Sequence, residues 1–561
     1  MSRNRISYGP PTVVVDKALG ALPVVAEFAR RLDIAAIVDR ACPVRDLALL
    51  THGQVIEALV ANRLTSPTPL VHVAHWAAAW ATEEIFGIDP AALNDDRIGR
   101  ALDAIAPELE HIVGSVGATA IAAFGIDVAR LHWDMTSISL YGNYRDAQEG
   151  FATPRFGHPK DRRTDLKQIQ AGLAVTGDGG VPVFHRAYHG GAGEVSQVTA
   201  AMESLRKLAG PRKFLMVGDS KLVSYPNLRA MDDAGVQFIA PASKTYVKAP
   251  TLAAQHLQPT TQVHHVAERD LGRAPELRGR WRVREDTMAM APPKATKGPT
   301  LVLRRVFVWS STRTGAAQLA RTKKLARASD DLARLERGLG GRHYPDAQTV
   351  QQRVSAIAAA RRVTGYLQAD IAADPATGKP TLSWHFDDGA LTAEAATDGW
   401  YALLTNLDPE TADAAEVLRR YKGQEAVERR YSSIKGPLAV APMFLKNNRR
   451  IEALITVICL ALLIFCLVER ALRLAIAPAH VLAGLYAGRP AKPTGRLIFT
   501  ALSRLRLIPA THQTPPVIPE PPPLQANILR LLGVDPTQPR QKCKTTRHPR
   551  PPRPRMCGIP G

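Results

Sequence analysis

Cysteine is scarce. The 561 residues hold five, at Cys42, Cys459, Cys466, Cys543 and Cys557. They are too scattered for a disulfide framework, and no CxxC pair marks a zinc finger. A reducing, cytoplasmic setting fits. No GxxxxGK[ST] loop is present, so no nucleotide cofactor is expected. The opening stretch, MSRNRISYGPPTVVVDKALG, has no apolar run, so no secretory leader is expected. Membrane-length apolar runs are missing too. Ala453 to Val468 is apolar except for Thr456, but a span needs about 20 residues. Charged residues flank it closely, so it reads as a buried core helix and no membrane partner is expected. Acid is also in deficit. Lys+Arg number 72 against 51 Asp+Glu, leaving +21 and a pI near 10.0. Such a chain is expected to meet a polyanion, most often nucleic acid.

What remains is an ordinary globular balance. Hydrophobic residues are 45% and charged residues 22%, which excludes a chain disordered throughout. At about 100–200 residues per domain, the length suggests three or four units. Residues 1–125 read as a helical N-terminal domain, serving either packing or DNA-end binding. Thr51 and Gln54 form a capping box, and Asn94 or Asp95 caps a later helix. From 126 to 245 the pattern becomes α/β. RLHWDMTSISLYG is a strand, a hairpin follows around Asp178-Gly-Gly, and KFLMVGDS is a buried strand. Residues 246–395 break the rhythm and read as an insertion. Strand and helix resume over 396–487. From 488 to 561 the chain reads as a Pro-rich basic tail, partly disordered, with seven Lys/Arg and no acid after Asp535.

Three carboxylates stand out by context. Asp134 lies within the first strand, Asp219 ends a later one, and Glu428 lies in the helix that starts near Ala415. Strand ends are where α/β sheets build sites. Oxygen donors suit Mg²⁺ or Mn²⁺, and two such ions can serve both oxygens of a phosphodiester displacement. On a continuous helix, Tyr421, Gln424, Glu428 and Lys435 fall within an arc of about 60°. A stripe of this kind suits a phosphate backbone, although a solvated face looks the same.

The surrounding motifs carry a resemblance. WYALLTN, YKGQEAVERRYSSIKGPL and APMFLKNNRRIEALI are similar to the C-terminal catalytic region of bacterial insertion-sequence DDE transposases, insertion-sequence family four and its relatives. The signature Y-x2-R-x3-E-x6-K stands here as Tyr421, Gln424, Glu428 and Lys435, with Gln in place of Arg. LHWDMTSISLYG resembles the segment with the first catalytic Asp, and FLMVGDSKLVSYPNLRAMDDAGVQFIAPASK the segment with the second. The resemblance covers about 90–245 and 395–485. It implies an RNase H-like core interrupted by an insertion domain, with Asp134, Asp219 and Glu428 as catalytic residues and ligands of two Mg²⁺ or Mn²⁺ ions. It implies action on double-stranded DNA, at the element's ends and at the target, by a homodimer or higher synaptic complex at the bacterial nucleoid. The alternatives are an RNase H-like nuclease without strand transfer, and an inactive or domesticated DNA-binding copy.

Further DNA contacts are expected from Tyr421, Gln424, Lys435, Arg429 and Arg430, and from Lys160, Arg162, Arg163 and Lys167 in the basic loop. Trp309 is a candidate for stacking on an unpaired base. His132, His185 and His189 read as packing or surface residues.

Overall fold

A computed structural model describes residues 16–537, apart from 46, 146, 295, 441, 442, 444 and 511–513. Among these residues, nine strands form one mixed sheet. In chain order they are β1 (Arg130–Leu140), β2 (Lys167–Thr176), β3 (Pro182–Tyr188), β4 (Leu215–Val217) and β5 (Gln237–Pro241). Then come β6 (Thr261–Val263), β7 (Trp281–Met290), β8 (Leu301–Ser310) and β9 (Trp400–Thr405). Their order across the sheet is β3-β2-β1-β4-β5-β9-β8-β7-β6. β4 pairs parallel with both β1 and β5, and every other neighbouring pair is antiparallel. Parallel neighbours need a crossover. Helices α1 (Glu194–Ala209) and α2 (Tyr225–Asp233) supply those around β4.

The expected insertion is only partly separate. β6 to β8 belong to the main sheet, because LVLRRVFVWS pairs along β7 on one side and β9 on the other. What leaves the sheet is α3 (Ser311–Arg337), α4 (Ala347–Arg361) and a hairpin of Leu367–Ala373 with Pro380–Phe386. This part has its own small core of Leu332, Leu335, Val350, Val354, Ile357 and Leu382.

The helix expected from Ala415 is two helices, α5 (Ala414–Lys422) and α6 (Glu425–Lys435). At the break the bonds tighten: Gly423 N–H reaches the Arg420 carbonyl and Gln424 N–H the Tyr421 carbonyl. The cause is close packing on β1. A Cβ at Gly423 would stand 2.7 Å from His132 Nε2. Gly436 follows the end of α6, as the Gly-Pro pair predicts.

α7 (Asn448–Ala475) is long and apolar enough to cross a membrane by length and composition, and it is buried almost throughout. It packs on the N-terminal helices His52–Thr65 and Asp95–Ile105, on β3 and on α6. The capping box at Thr51 and the Asn94 cap form as the sequence indicates. The boundary at residue 125 does not divide the core, however. A single apolar cluster runs from Leu19 to Val534. The expected tail is also folded in part. Gly495–Leu502 and Pro523–Leu532 are helices on α7, and Arg506–Leu507 pairs with Lys17–Ala18. The last basic residues, 538–561, lie outside the described residues.

Candidate active site

Strand geometry brings the first two carboxylates together. Arg130 pairs with Leu215 and His132 with Val217. Continuing this parallel register by two residues sets Asp134 beside Asp219, at a strand spacing of about 4.8 Å. Burial pushes the Asp134 carboxyl up to about 6; Lys160 opposes the rise and Asp219 adds to it. Met135 N–H donates to Asp134 Oδ1 at 2.8 Å, and Lys221 N–H donates to Asp219 Oδ1 at 2.8 Å.

His132, Asp134 and Thr136 alternate along one face of β1. The α5–α6 break and α6 lie over that face. Lys435 Nζ donates to Thr136 Oγ1 at 3.0 Å. The Gln424 amide reaches the Trp133 carbonyl at 3.0 Å and His132 Nδ1 at 3.2 Å. A carbonyl needs a donor, so the amide nitrogen faces Trp133 and Oε1 faces the imidazole. His132 therefore carries its proton on Nδ1. Burial holds this histidine neutral, with its pKa lowered to about 4. The Tyr431 hydroxyl lies 2.6 Å from the Asp134 carbonyl oxygen and 3.0 Å from that of Ala171, which fixes α6 to β1 and β2.

Glu428 is on the exposed side of α6. Tyr421 links it to the pair electrostatically. Burial raises the Tyr421 hydroxyl pKa first; Arg313 opposes, and the charges of Asp219 and Glu428 add. Among the described residues, no three His, Cys, Asp or Glu side chains converge closely enough to hold a metal ion. Asp134 and Asp219 meet, and Glu428 stands apart.

Two further residues enter the site that the sequence reading missed or placed elsewhere. Glu194, the first residue of α1, has a carboxylate 3.9 Å from Lys160 Nζ. Burial raises its pKa, Lys160 opposes, and Asp219 adds. The GGAGE turn gave no signal for this role, because the long loop between β1 and β2 creates the contact. Lys160, expected at DNA, is instead seated on Asp134 Oδ1 at 3.3 Å and donates to the Met135 carbonyl.

The other residues expected at DNA have the following surroundings. Gln424 is 9% exposed and both ends of its amide are engaged. Arg430 is 7% exposed, paired with Glu469 at 3.0 Å and bonded to the Gly179 and Gly180 carbonyls. Trp309 sits within β8, with the Arg282 guanidinium 4.0 Å from its ring centroid, so that face is covered. Arg429 is exposed but pairs with Glu268. Arg163 pairs with Asp165 at 2.7 Å, and Lys167 donates to the Asn143 carbonyl. Arg162 is exposed in a left-handed turn, at φ 63°. His185 is half-buried with its Nε2 covered, and burial lowers its pKa to about 4. His189 accepts from Thr153 N–H at 3.0 Å.

Comparison with known families decides the class. A family model described as a transposase DDE domain matches residues 133–464, more than half of the chain. The chain belongs to the DDE transposase family. It is a DNA transposase, and all three carboxylates lie within the matched span. Residues 14–112 of the transposase match a domain of unknown function (DUF4277). A comparison with curated proteins gives no match. Among solved structures, the transposase is similar to a cryo-EM structure of a piggyBac transposase synaptic complex with hairpin DNA. Identity is 10%, coverage is 89% of this chain and 82% of that one, and the TM-score is 0.35. A likeness at that level carries no argument here.

DDE transposases generally use divalent metal ions. Asp134 and Asp219 offer donors of the right kind for one. The donors are carboxylate oxygens, which suit a hard cation. The charge of Asp219 adds to the cost of ionising Asp134, and the Lys160 ammonium already occupies a cation's place on Asp134.

Proposed function

We propose that this transposase, of insertion-sequence family four or a close relative, cuts double-stranded DNA at the ends of its own element. It then joins the freed 3′-OH ends to target DNA. Its sheet is read as an RNase H-like core interrupted by the part containing α3, α4 and the hairpin. Asp134 and Asp219 are the first two catalytic carboxylates and Glu428 is the third. Together they would hold two Mg²⁺ or Mn²⁺ ions, which supply nucleophile activation and charge neutralisation when bound. Each chemical step exchanges one P–O bond for another. Water displaces the 3′ oxygen at the element end, and that 3′-OH later displaces a target oxygen in line. No nucleotide and no covalent protein–DNA link is needed.

The chain's own groups have separate tasks. Lys160 neutralises Asp134 in the free enzyme. Lys435, at the rim of the same β1 face, contacts a phosphate. Tyr421 stands between the pair and Glu428 and orients the substrate. Two ends must be joined, so a dimer or higher synaptic complex forms on DNA, at the nucleoid in the cytoplasm. The N-terminal helices would serve end recognition.

One observation carries this reading: the parallel pairing of β1 with β4 runs up to His132 and Val217 and leads Asp134 and Asp219 to where the charge of one acts on the other, beneath the helix that bears Glu428. Cleavage of DNA carrying the gene's flanking ends tests it, with Mg²⁺, with EDTA, and with the Asp219→Ala variant. Metal-dependent nicking at the element boundary, lost in the variant, is expected. End binding without cleavage in Mg²⁺ or Mn²⁺ would favour a non-catalytic DNA-binding copy. Cleavage without joining would favour a nuclease.

A further inference from the structure

α3 has a charge pattern that the chemistry above does not use. From Ser311 to Ser329 it carries Arg313, Arg321, Lys323, Lys324 and Arg327, and no acid. Two of these cations face inward and are neutralised. Arg321 pairs with Asp398 at 2.5 Å, and Lys324 lies 3.5 Å from Glu394. The other three are exposed, and no ion pair is recorded for them among the described residues. At 100° per residue, Arg313, Lys323 and Arg327 share a stripe roughly 80° wide; Arg334, further along it, is paired with Asp331 at 3.4 Å. Asp331 is the acid on that stripe, and it is paired with Arg334 and Arg361. The residues between the cations are small: Ala316 and Ala320 lie on the stripe and both are exposed. A partner could therefore approach the helix closely.

The stripe starts at the candidate active site. The Arg313 guanidinium is 4.5 Å from the Tyr401 ring centroid, and its charge acts on Tyr421. Tyr421 in turn feels Asp219 and Glu428. The helix then runs outward from the sheet, and its far half is held by the Leu332, Leu335 and Val354 core. Arg313 to Arg327 spans about 21 Å at 1.5 Å per residue. That matches roughly six base pairs of duplex, which presents phosphates every 3.4 Å along each strand.

We infer that the exposed stripe Arg313–Lys323–Arg327 of α3 is a rail for duplex DNA, holding the backbone that leads away from the reacting phosphodiester. This deepens the proposed function and rests on it. The occupant is duplex DNA on grounds of charge complementarity. The stripe is cationic, rigid and polar, with none of the apolar continuity that a protein partner's face would need.

The test is binding in EDTA, where no cleavage occurs. The full-length protein is titrated against end duplexes carrying 2 or about 15 base pairs beyond the catalytic position, over a salt series. The double variant Lys323→Glu, Arg327→Glu is compared with a charge-matched control on α1, Arg206→Glu with Lys207→Glu. Wild type should bind the long duplex at least tenfold more tightly than the short one. The α3 variant should lose that advantage, and its salt slope on the long duplex should fall by about two. Both pairs are solvent-facing, and thermal melts check that the variants fold. An α3 variant that keeps the length advantage overturns the rail and leaves the proposed function intact. Equal losses in the α1 control also overturn it, because net charge would then explain the effect. Failure of the wild type to bind any end duplex overturns both readings.

Discussion

Gln424 is where the family signature and the packing disagree, so replacing it with the signature residue is informative. If this position faced phosphate, Gln424→Arg would add a charge to the DNA interface and tighten binding. The structure requires the opposite. The side chain is 9% exposed and spans the Trp133 carbonyl and His132 Nδ1. An arginine could still donate to Trp133, but it has no acceptor for the His132 N–H. An unpaired buried donor costs about 1–3 kcal/mol. The guanidinium must also be desolvated beside a histidine that burial keeps neutral. A loss of roughly 3 kcal/mol or more is expected, read as an unfolding transition at lower urea, with no gain in affinity for end DNA. Gln424→Glu gives a second readout. It keeps an acceptor for the imidazole and adds a negative charge, so the His132 titration followed by NMR should move up from about 4. A Gln424→Arg protein as stable as wild type, and tighter on DNA, would refute the burial argument.

Arg430→Met should cost about 3 kcal/mol, because it leaves the buried Gly179 and Gly180 carbonyls without their donor and removes one of the two arginines on Glu469, which keeps Arg473 at 3.0 Å. Adding Glu469→Leu should not recover the loss, because it also removes the partner of Arg473 and the acceptor of the Gly495 N–H, as denaturant titration of the single and double variants would show. Divalent cation binding, followed by calorimetry, should weaken as pH falls through about 6, where Asp134 takes up a proton. Affinity that stays flat from pH 7 to 5 would remove Asp134 from the ligand set. His185 is neutral when folded, with its pKa lowered to about 4 by burial. Unfolded, it binds a proton from about pH 6.5 downward, so its contribution to stability is present above that pH and is lost toward pH 4. Wild type should therefore lose more stability than His185→Gln between pH 6.5 and 4 in parallel thermal melts.

Local signals in the sequence survive well in the fold. The Thr51–Gln54 box, the Asn94 cap and the buried run at 453–468 all depend on near neighbours in sequence, and each forms as read. Strand-borne Asp134 and strand-ending Asp219 were legible because a buried β run ending in Gly-Asp is itself a local pattern. What failed was long range. β8 looked like part of an insertion because its partner β9 lies some ninety residues further on. Gln424 looked like a surface residue because its neighbours Arg419, Arg420, Lys422, Arg429 and Arg430 are charged. Its real surroundings are on β1, nearly 300 residues earlier. Glu194 and Lys160 became neighbours only through the fold of the loop between β1 and β2.

Helical periodicity assumes an unbroken helix, and here the break itself serves the site. A continuous helix from Ala414 to Lys435 would need an ordinary turn at Gly423, where His132 leaves no room for a Cβ. The tightened turn lowers the chain onto β1, and Gln424 bonds it there. Tyr431 repeats the attachment two turns later. α6 is thus pinned at both ends of the β1 segment that carries Asp134. Glu428, midway between these attachments and facing outward, has its backbone fixed while its side chain stays free to swing. A carboxylate held in this way can join Asp134 and Asp219 without any rearrangement of the sheet. The chain spends two buried polar residues, Gln424 and Tyr431, on fixing this helix to β1.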